Sequence, residues 1–307
     1  MKILVTGGAG YLGSILVEKL LLLNQHVTIY DNFMYGPNSI LHLISNPKLK
    51  VITGDIRDKK KINSEVSKND FIIHLAAVVG YPACSKDEKY AIETNVTGTK
   101  NVFSKISKDQ KFIFASTGST YGRVQEKCDE KTLISPLTLY GKTKAEGEKI
   151  AGKSNTVILR FATVFGLSPR LRLDLLINDF TYKAYHEKHL ILYQSNFKRT
   201  FIHCRDAVDS ILLSIKKYSK MKGEVFNVGS DKLNFTKIEI ANKISNATKC
   251  LIFSSDRGTD PDERNYEVSY KKIKKLGFNA KITVEDGIEE LLKIVKNIHL
   301  KNPWSNA

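Results

Sequence analysis

Short apolar runs alternate with amphipathic stretches through the first half of the chain. Ile3–Thr6, Val27–Asp31, Lys50–Thr53, Phe71–Leu75, Lys111–Ser116 and Thr156–Arg160 are brief and rich in β-branched or aromatic residues, as strands are. Between the first two, apolar positions recur at helical spacing from about Gly10 to Leu23. Strands that are apolar almost without interruption are buried on both faces, so this repetition predicts a parallel sheet with helices on either side. The expected fold class is α/β, a Rossmann-like doubly wound sheet.

After Phe165 the rhythm changes. Gly166–Leu167–Ser168–Pro169 reads as a turn, followed by an amphipathic helix from about Leu171 to Tyr185. Phe201–His203 and Val225–Val228 read as strands returning to the main sheet, and helices are expected near Phe235–Ser245 and Val284–Lys296. This predicts a nucleotide-binding domain over 1–165, with returning segments at about 200–230. A smaller substrate lobe would be built from 166–199 and 231–307.

Composition fits that picture. The 307 residues suffice for two such units, and 42% hydrophobic against 26% charged residues excludes wholesale disorder. No apolar run nears the roughly 20 residues that span a bilayer, and the chain opens directly on a strand, so a cytoplasmic protein with no membrane partner is expected. The net charge of +16 raises nucleic acid as a partner. Its excess is mostly lysine, scattered or in short runs such as Lys59–Lys61, without interleaved aromatics. That is the pattern of a solvated surface, compatible with an anionic small substrate. Cys84, Cys128, Cys204 and Cys250 lie far apart with no metal-site spacing, so reduced, partly buried thiols are expected.

The chemistry starts at Thr6–Gly13. Gly7, Gly10 and Gly13, with Tyr11 and Leu12 among them, sit between the first strand and first helix. Glycines so spaced allow a tight turn, close backbone approach to a pyrophosphate, and close helix–strand packing. Asp31 closes the second strand about 20 residues on, where a carboxylate binds the adenosine ribose hydroxyls and repels an added phosphate. Asn32 and Phe33 offer no compensating cation, so NAD is expected over NADP. Asp55 and Ile56 end the third strand, with Asp55 in reach of the adenine amino group. Leu75, Ala76 and Ala77 end the fourth, where small side chains let backbone approach the dinucleotide.

Tyr140 and Lys144 are four apart at the start of a helix and share a face. A neighbouring ammonium stabilises phenolate over phenol and draws the tyrosine pKa from ~10 towards neutrality. Tyrosine then serves as a general base for a hydroxyl proton.

With these motifs the chain resembles the extended short-chain dehydrogenase/reductases of the nucleotide-sugar epimerase/dehydratase family, and is similar to UDP-glucose 4-epimerases. The resemblance runs through TGGAGYLGS, GDIRD at 54–58, HLAA at 74–77, ETNVTGT at 93–99, FASTGSTYG at 114–122, YGKTK at 140–144, RFATVFG at 160–166, RTFIH at 199–203 and FNVGS at 226–230. It implies a nucleotide-diphosphate sugar as substrate and a homodimer paired through the helices near 89–106 and 140–151. It implies that Thr117 bonds the reacting sugar hydroxyl, that Asn95 orders the site beside the cofactor, and that Arg199 and Arg264 contact the diphosphate or nucleotide. Members that dehydrate carry a glutamate where this chain has Ser119, so elimination is not expected. Thr163 stands where the family often has asparagine. The segment 162–174, with Arg170 and Arg172, resembles surface-polysaccharide enzymes that include a GDP-manno-heptose 4-dehydrogenase, and would set two cations at the diphosphate. The expected activity is redox chemistry at the sugar C4, giving epimerisation if the 4-keto sugar turns in the site or net dehydrogenation or reduction if it does not. Proteins of this fold that bind a dinucleotide or RNA without catalysis form a further class, but they typically lose the tyrosine or lysine.

Overall fold

The computed structural model describes residues 1–152, 155–255 and 265–297. Seven strands form one parallel sheet. They include β1 (Lys2–Thr6), β2 (His26–Asp31), β3 (Leu49–Thr53), β4 (Phe71–His74) and β5 (Lys111–Thr117). The spatial order is Val225–Val228, Thr156–Phe161, β5, β4, β1, β2, β3. Successive side chains of a strand point to opposite faces, and the cores divide accordingly. Ile3, Val5, Ile73, Ile113 and Leu159 pack with α1 (Tyr11–Leu22) and the helix Cys204–Lys216 on one face. Leu4, Ile72, Phe112, Phe114 and Ile158 meet Ile62, Val66, Val102 and Ala151 on the other.

The strand order reverses between β1 and β4, which are in-register neighbours. Chains leaving adjacent strands in opposite directions open a crevice at the carboxyl ends, where ligands of such sheets bind.

A second core gathers Phe165, Ile177, Leu190, Leu192, Phe201, Ile240, Ile244, Ile288 and Leu291. Val225–Val228 joins the main sheet as expected, whereas Lys198–His203 does not. It pairs with Thr163–Phe165 and Asn234–Thr236 in a separate three-stranded sheet, because the chain peels away from the main sheet after Phe161. The expected helix at 171–185 starts only at Leu176. Residues before it are held non-helical by an Arg172–Asp174 ion pair and by Asn178 Nδ2 donating to Arg172 O. Two parallel strand pairs were not read from the pattern: His189–Tyr193 with Leu251–Ser255, and Arg123–Cys128 with Asn265–Val268. No helix among the described residues is long and apolar enough to cross a membrane.

Candidate active site

The glycine turn is built on contacts that exclude side chains. Gly7 has φ +73°, and a Cβ there would come within 2.7 Å of Ala76 N. A Cβ on Gly13 would press to 2.8 Å on the Gly8 backbone, so its absence lets α1 pack on the turn. Gly10 is the extended N-cap of α1, and a Cβ there would meet only Gly7 O, at 3.1 Å. The surface over the helix N-terminus is therefore open, as an anion at a helix start requires.

At the other end of the turn the Asp31 carboxylate accepts from Ala9 N at 3.0 Å and Phe33 N at 2.9 Å. Burial raises its pKa while these backbone donors oppose the shift. Tyr11, Leu12, Asn32, Ile56, Leu75, Ala76 and Ala77 line the same crevice. An open cradle for a pyrophosphate and a carboxylate fixed at the end of β2 fit a dinucleotide.

Asp55 also lines the crevice, but both its oxygens accept from Arg57, with Nη2 at 2.8 Å. Burial pushes this carboxyl up and the Arg57 bonds outweigh it, so its pKa is lowered. Arg57 reaches on to Glu93 at 3.1 Å and lies over the Tyr90 ring at 4.4 Å. The carboxylate expected at the adenine amino group is thus also paired with its own second neighbour, a pairing the GDIRD run does not announce.

Thr138 caps the helix Leu139–Ala151 by accepting from Gly141 N at 3.1 Å, which sets Tyr140 in the first turn. Tyr140, Lys144, Thr117 and Ser119 all face the crevice. Thr117 Oγ1 donates to Ser119 Oγ at 3.1 Å, so two hydroxyls form the wall at the end of β5. Lys144 is 4% exposed, with its ammonium 4.2 Å from the Phe114 ring centroid. Burial brings its pKa down to about 8, against the opposing charge of Glu148.

Asn95, expected to order the site beside the cofactor, is buried and is not among the residues that line the crevice. It sits in a π-helical turn, Glu93–Gly98, inside a helical run. Its Oδ1 accepts from Val78 N at 2.8 Å, and its Nδ2 donates to Val78 O and to Thr143 Oγ1, both at 3.0 Å. It ties the loop after β4 to the helix Leu139–Ala151. Thr99 Oγ1 donates to Asn95 O at 2.6 Å, so it accepts from His74 Nε2 at 3.0 Å. His74 Nδ1 lies 2.6 Å from Thr6 Oγ1; burial takes the ring's pKa down to about 3, so the imidazole is neutral and Nδ1 accepts from that hydroxyl.

Thr163, Arg170 and Arg172 line the crevice from the other lobe. Arg199 does not: it is buried in the three-stranded sheet, its Nη1 donating to Lys198 O at 3.3 Å. Arg264 lies outside the described residues. All four cysteines are free and buried.

A doubly wound sheet whose switch-point crevice opens onto a tyrosine and a buried lysine one helical turn apart belongs to a dinucleotide-dependent enzyme. Residues 3–229 match the NAD dependent epimerase/dehydratase family, and the chain is a member of that family. NAD is its cofactor. It is 28% identical to a putative UDP-glucose 4-epimerase of Methanocaldococcus jannaschii, over 96% of this chain and 98% of that one. It is 30% identical to a UDP-N-acetyl-alpha-D-glucosaminuronate decarboxylase of Bacillus cytotoxicus over 75% of each. The structure of a UDP-glucuronic acid 4-epimerase from Bacillus cereus, in complex with UDP-glucuronic acid and NAD, superposes with a TM-score of 0.84 at 27% identity, covering 97% of this chain and all of the other.

Proposed function

We propose that this protein is a nucleotide-sugar 4-epimerase. The observation that carries the reading is the composition of the reacting wall. Tyr140, Lys144 and Thr117 share the cofactor crevice, and Gly118 and Ser119 supply no carboxylate beside them. An elimination needs a base at a second carbon and an acid at its leaving hydroxyl, and this wall holds neither.

NAD in the crevice supplies a hydride acceptor that can also give the hydride back. Tyr140 Oη takes the proton of the sugar 4-hydroxyl, and the Lys144 ammonium favours the phenolate that does so. Thr117 Oγ1 turns from Ser119 to the sugar oxygen and fixes its direction. Once the 4-keto sugar has turned to present the other face of C4 to the returning hydride, Tyr140 gives the proton back to the C4 oxygen. Thr163 and Ser119 are set to contact the sugar nucleotide.

The test is mass spectrometry of reactions with UDP-, GDP-, CDP- and dTDP-sugars, with absorbance followed near 340 nm. An isomer formed without net NADH is the expected result, and no product from any of them would end the proposal. The 162–174 segment favours a second reading, a 4-dehydrogenase or 4-keto reductase on a GDP-heptose, which stoichiometric NADH with a hydratable ketone would select. The setting proposed is cytoplasmic synthesis of surface-polysaccharide sugars by a homodimer. A monomer at micromolar concentration in light scattering would remove the last element.

A further inference from the structure

The seven strands of the main sheet are parallel, so they begin along one edge and end along the other, where the crevice lies. Lysines recur along the edge where the strands begin. Lys105 and Lys108 precede β5, and Lys217, Lys220 and Lys222 precede Val225–Val228. Tyr218 OH accepts from Phe112 N at 3.1 Å, so these two lysine-bearing segments adjoin. Asn155, at the start of the strand between them, donates from Nδ2 to Lys108 O at 3.1 Å. None of these five lysines is in an ion pair among the described residues. The acids here are Glu65 and Glu224, already bonded to Lys68 and Lys272, with Asp70 and Asp109.

Further along the same edge, at β2 and β3, the surface is apolar. α1 ends in Leu22, 80% exposed, and Leu23 beyond it is 57% exposed. Asn24, at φ +61°, turns the chain back towards β2 and leaves the two leucines at the tip of the helix. Lys48 Nζ donates to Asn24 Oδ1, which holds an ammonium beside them. The 3₁₀ helix Asn38–Leu43 packs on α1, with His42 Nε2 3.9 Å from Glu18 Oε1. The chain then descends past Ile44, 58% exposed, to the start of β3. Large aliphatic side chains exposed singly need no explanation, but three on one edge beside a lysine row mark an interaction surface.

We propose that this edge docks on an anionic lipid bilayer, with Leu22, Leu23 and Ile44 entering the boundary of headgroups and acyl chains and the lysine row facing acidic headgroups. The pairing of the two kinds of side chain carries the choice of partner. Aliphatic groups gain by leaving water at that boundary, and each lysine near an anionic membrane adds about 1 kcal/mol. Single-stranded nucleic acid is held instead by aromatic faces on which bases stack, and Tyr218, the aromatic among these lysines, is buried. A second copy of the edge would set like charge against like charge. Such a contact needs no spanning segment, and it leaves the crevice, at the other end of the sheet, facing solvent and soluble substrate.

The experiment is co-sedimentation of the full chain with vesicles of phosphatidylcholine alone, and of phosphatidylcholine mixed equally with phosphatidylglycerol, at low and at physiological salt. Binding to the mixed vesicles that weakens with salt, and none to phosphatidylcholine, is expected. Leu22→Ser combined with Leu23→Ser should weaken it about tenfold and leave its salt dependence as it was. Lys108→Glu, Lys220→Glu and Lys222→Glu together should weaken it about a hundredfold and flatten the salt dependence. The same change of charge at Lys59, Lys60 and Lys61, which open a helix at the crevice end of the sheet, should weaken it far less. Near-UV circular dichroism verifies the fold of each variant. No binding of the wild type to mixed vesicles at low salt would overturn the proposal. Equal losses from the two lysine triples would overturn it too, since net charge alone would then be the attraction. Mixed-sequence RNA bound more tightly than the mixed vesicles, and released by the Lys108, Lys220 and Lys222 changes, would assign the edge to nucleic acid instead. No nucleotide sugar enters these measurements, so failure of the C4 reading would leave them untouched.

Discussion

Glu148 and Arg160 form a fully enclosed bidentate pair: Nε donates to one carboxylate oxygen at 2.9 Å and Nη2 to the other at 2.7 Å, with both side chains under a tenth exposed. Glu148 lies one helical turn beyond Lys144, and Arg160 is on the strand beside β5. Ser116 Oγ donates to the same carboxylate at 2.5 Å, one residue before Thr117. On the far side, Arg160 Nη1 donates to Tyr121 OH at 3.1 Å, and Tyr121 donates to Asn227 Oδ1 at 2.7 Å. One carboxylate therefore keys the helix carrying Tyr140 and Lys144 to the strand carrying Thr117.

Breaking this pair from one side strands a charge in the interior, which costs about 3–5 kcal/mol. Arg160→Met should lose that much in urea unfolding at pH 7. Glu148→Met combined with Arg160→Met should recover at least half, because no unpaired ion remains. Single variants within about 1 kcal/mol of wild type would mean that the pair is not the key.

Lys144 makes the opposite prediction. Its folded pKa of about 8 lies below the unfolded 10.5, so between those values the unfolded chain holds more protons and stability rises with pH. Below pH 8 the buried ammonium costs about 3 kcal/mol, at 1.36 kcal/mol per pKa unit. In cofactor-free protein, Lys144→Met should melt above wild type at pH 7 and the gap should narrow by pH 10, while turnover falls about 100-fold or more. Equal melting temperatures at pH 7 would contradict a costly ammonium.

How much of this was legible in the sequence depends on how local each feature is. The Gly7–Gly13 turn, Asp31 and the Tyr140–Lys144 spacing are patterns within one element, and the chain places all of them on one crevice. The sheet is legible because apolar continuity reports burial on both faces. The Glu148–Arg160 pair is a contact between a helix and a strand, and each residue alone reads as an ordinary surface charge. The contact of the Arg170 guanidinium with the Tyr35 ring joins two loops that only the fold brings together. Leu171 and Leu173 extend a helical apolar pattern, but the Arg172–Asp174 pair interleaved with them holds the backbone out of helix.

The neutral imidazole of His74 makes stability fall in mild acid. Burial takes its pKa down to about 3, below the ordinary 6.5, so the unfolded chain binds the extra proton as the pH drops below 6.5. At pH 5 that amounts to about 2 kcal/mol. The unfolding free energy of His74→Gln should therefore change less than that of wild type between pH 7 and 5, by about this amount. The same slope in both proteins would show that His74 is not the sensor.

Tyr140→Phe separates chemistry from architecture. The ring packs partly buried against Val78, Cys84 and Ala91, contacts that phenylalanine keeps, so stability should move by less than about 1 kcal/mol. NAD should still bind, because the cradle and Asp31 are untouched. Proton transfer at the sugar hydroxyl should lose about 10²–10⁴ in kcat. Thr117→Val should lose less, about tenfold to a hundredfold, since it removes one hydrogen bond and no proton carrier. Single-turnover measurement of the C4 redox step in both variants gives the comparison. If Thr117→Val were the more damaging of the two in correctly folded protein, the proton would have to travel by another group, such as the Ser119 hydroxyl that Thr117 contacts.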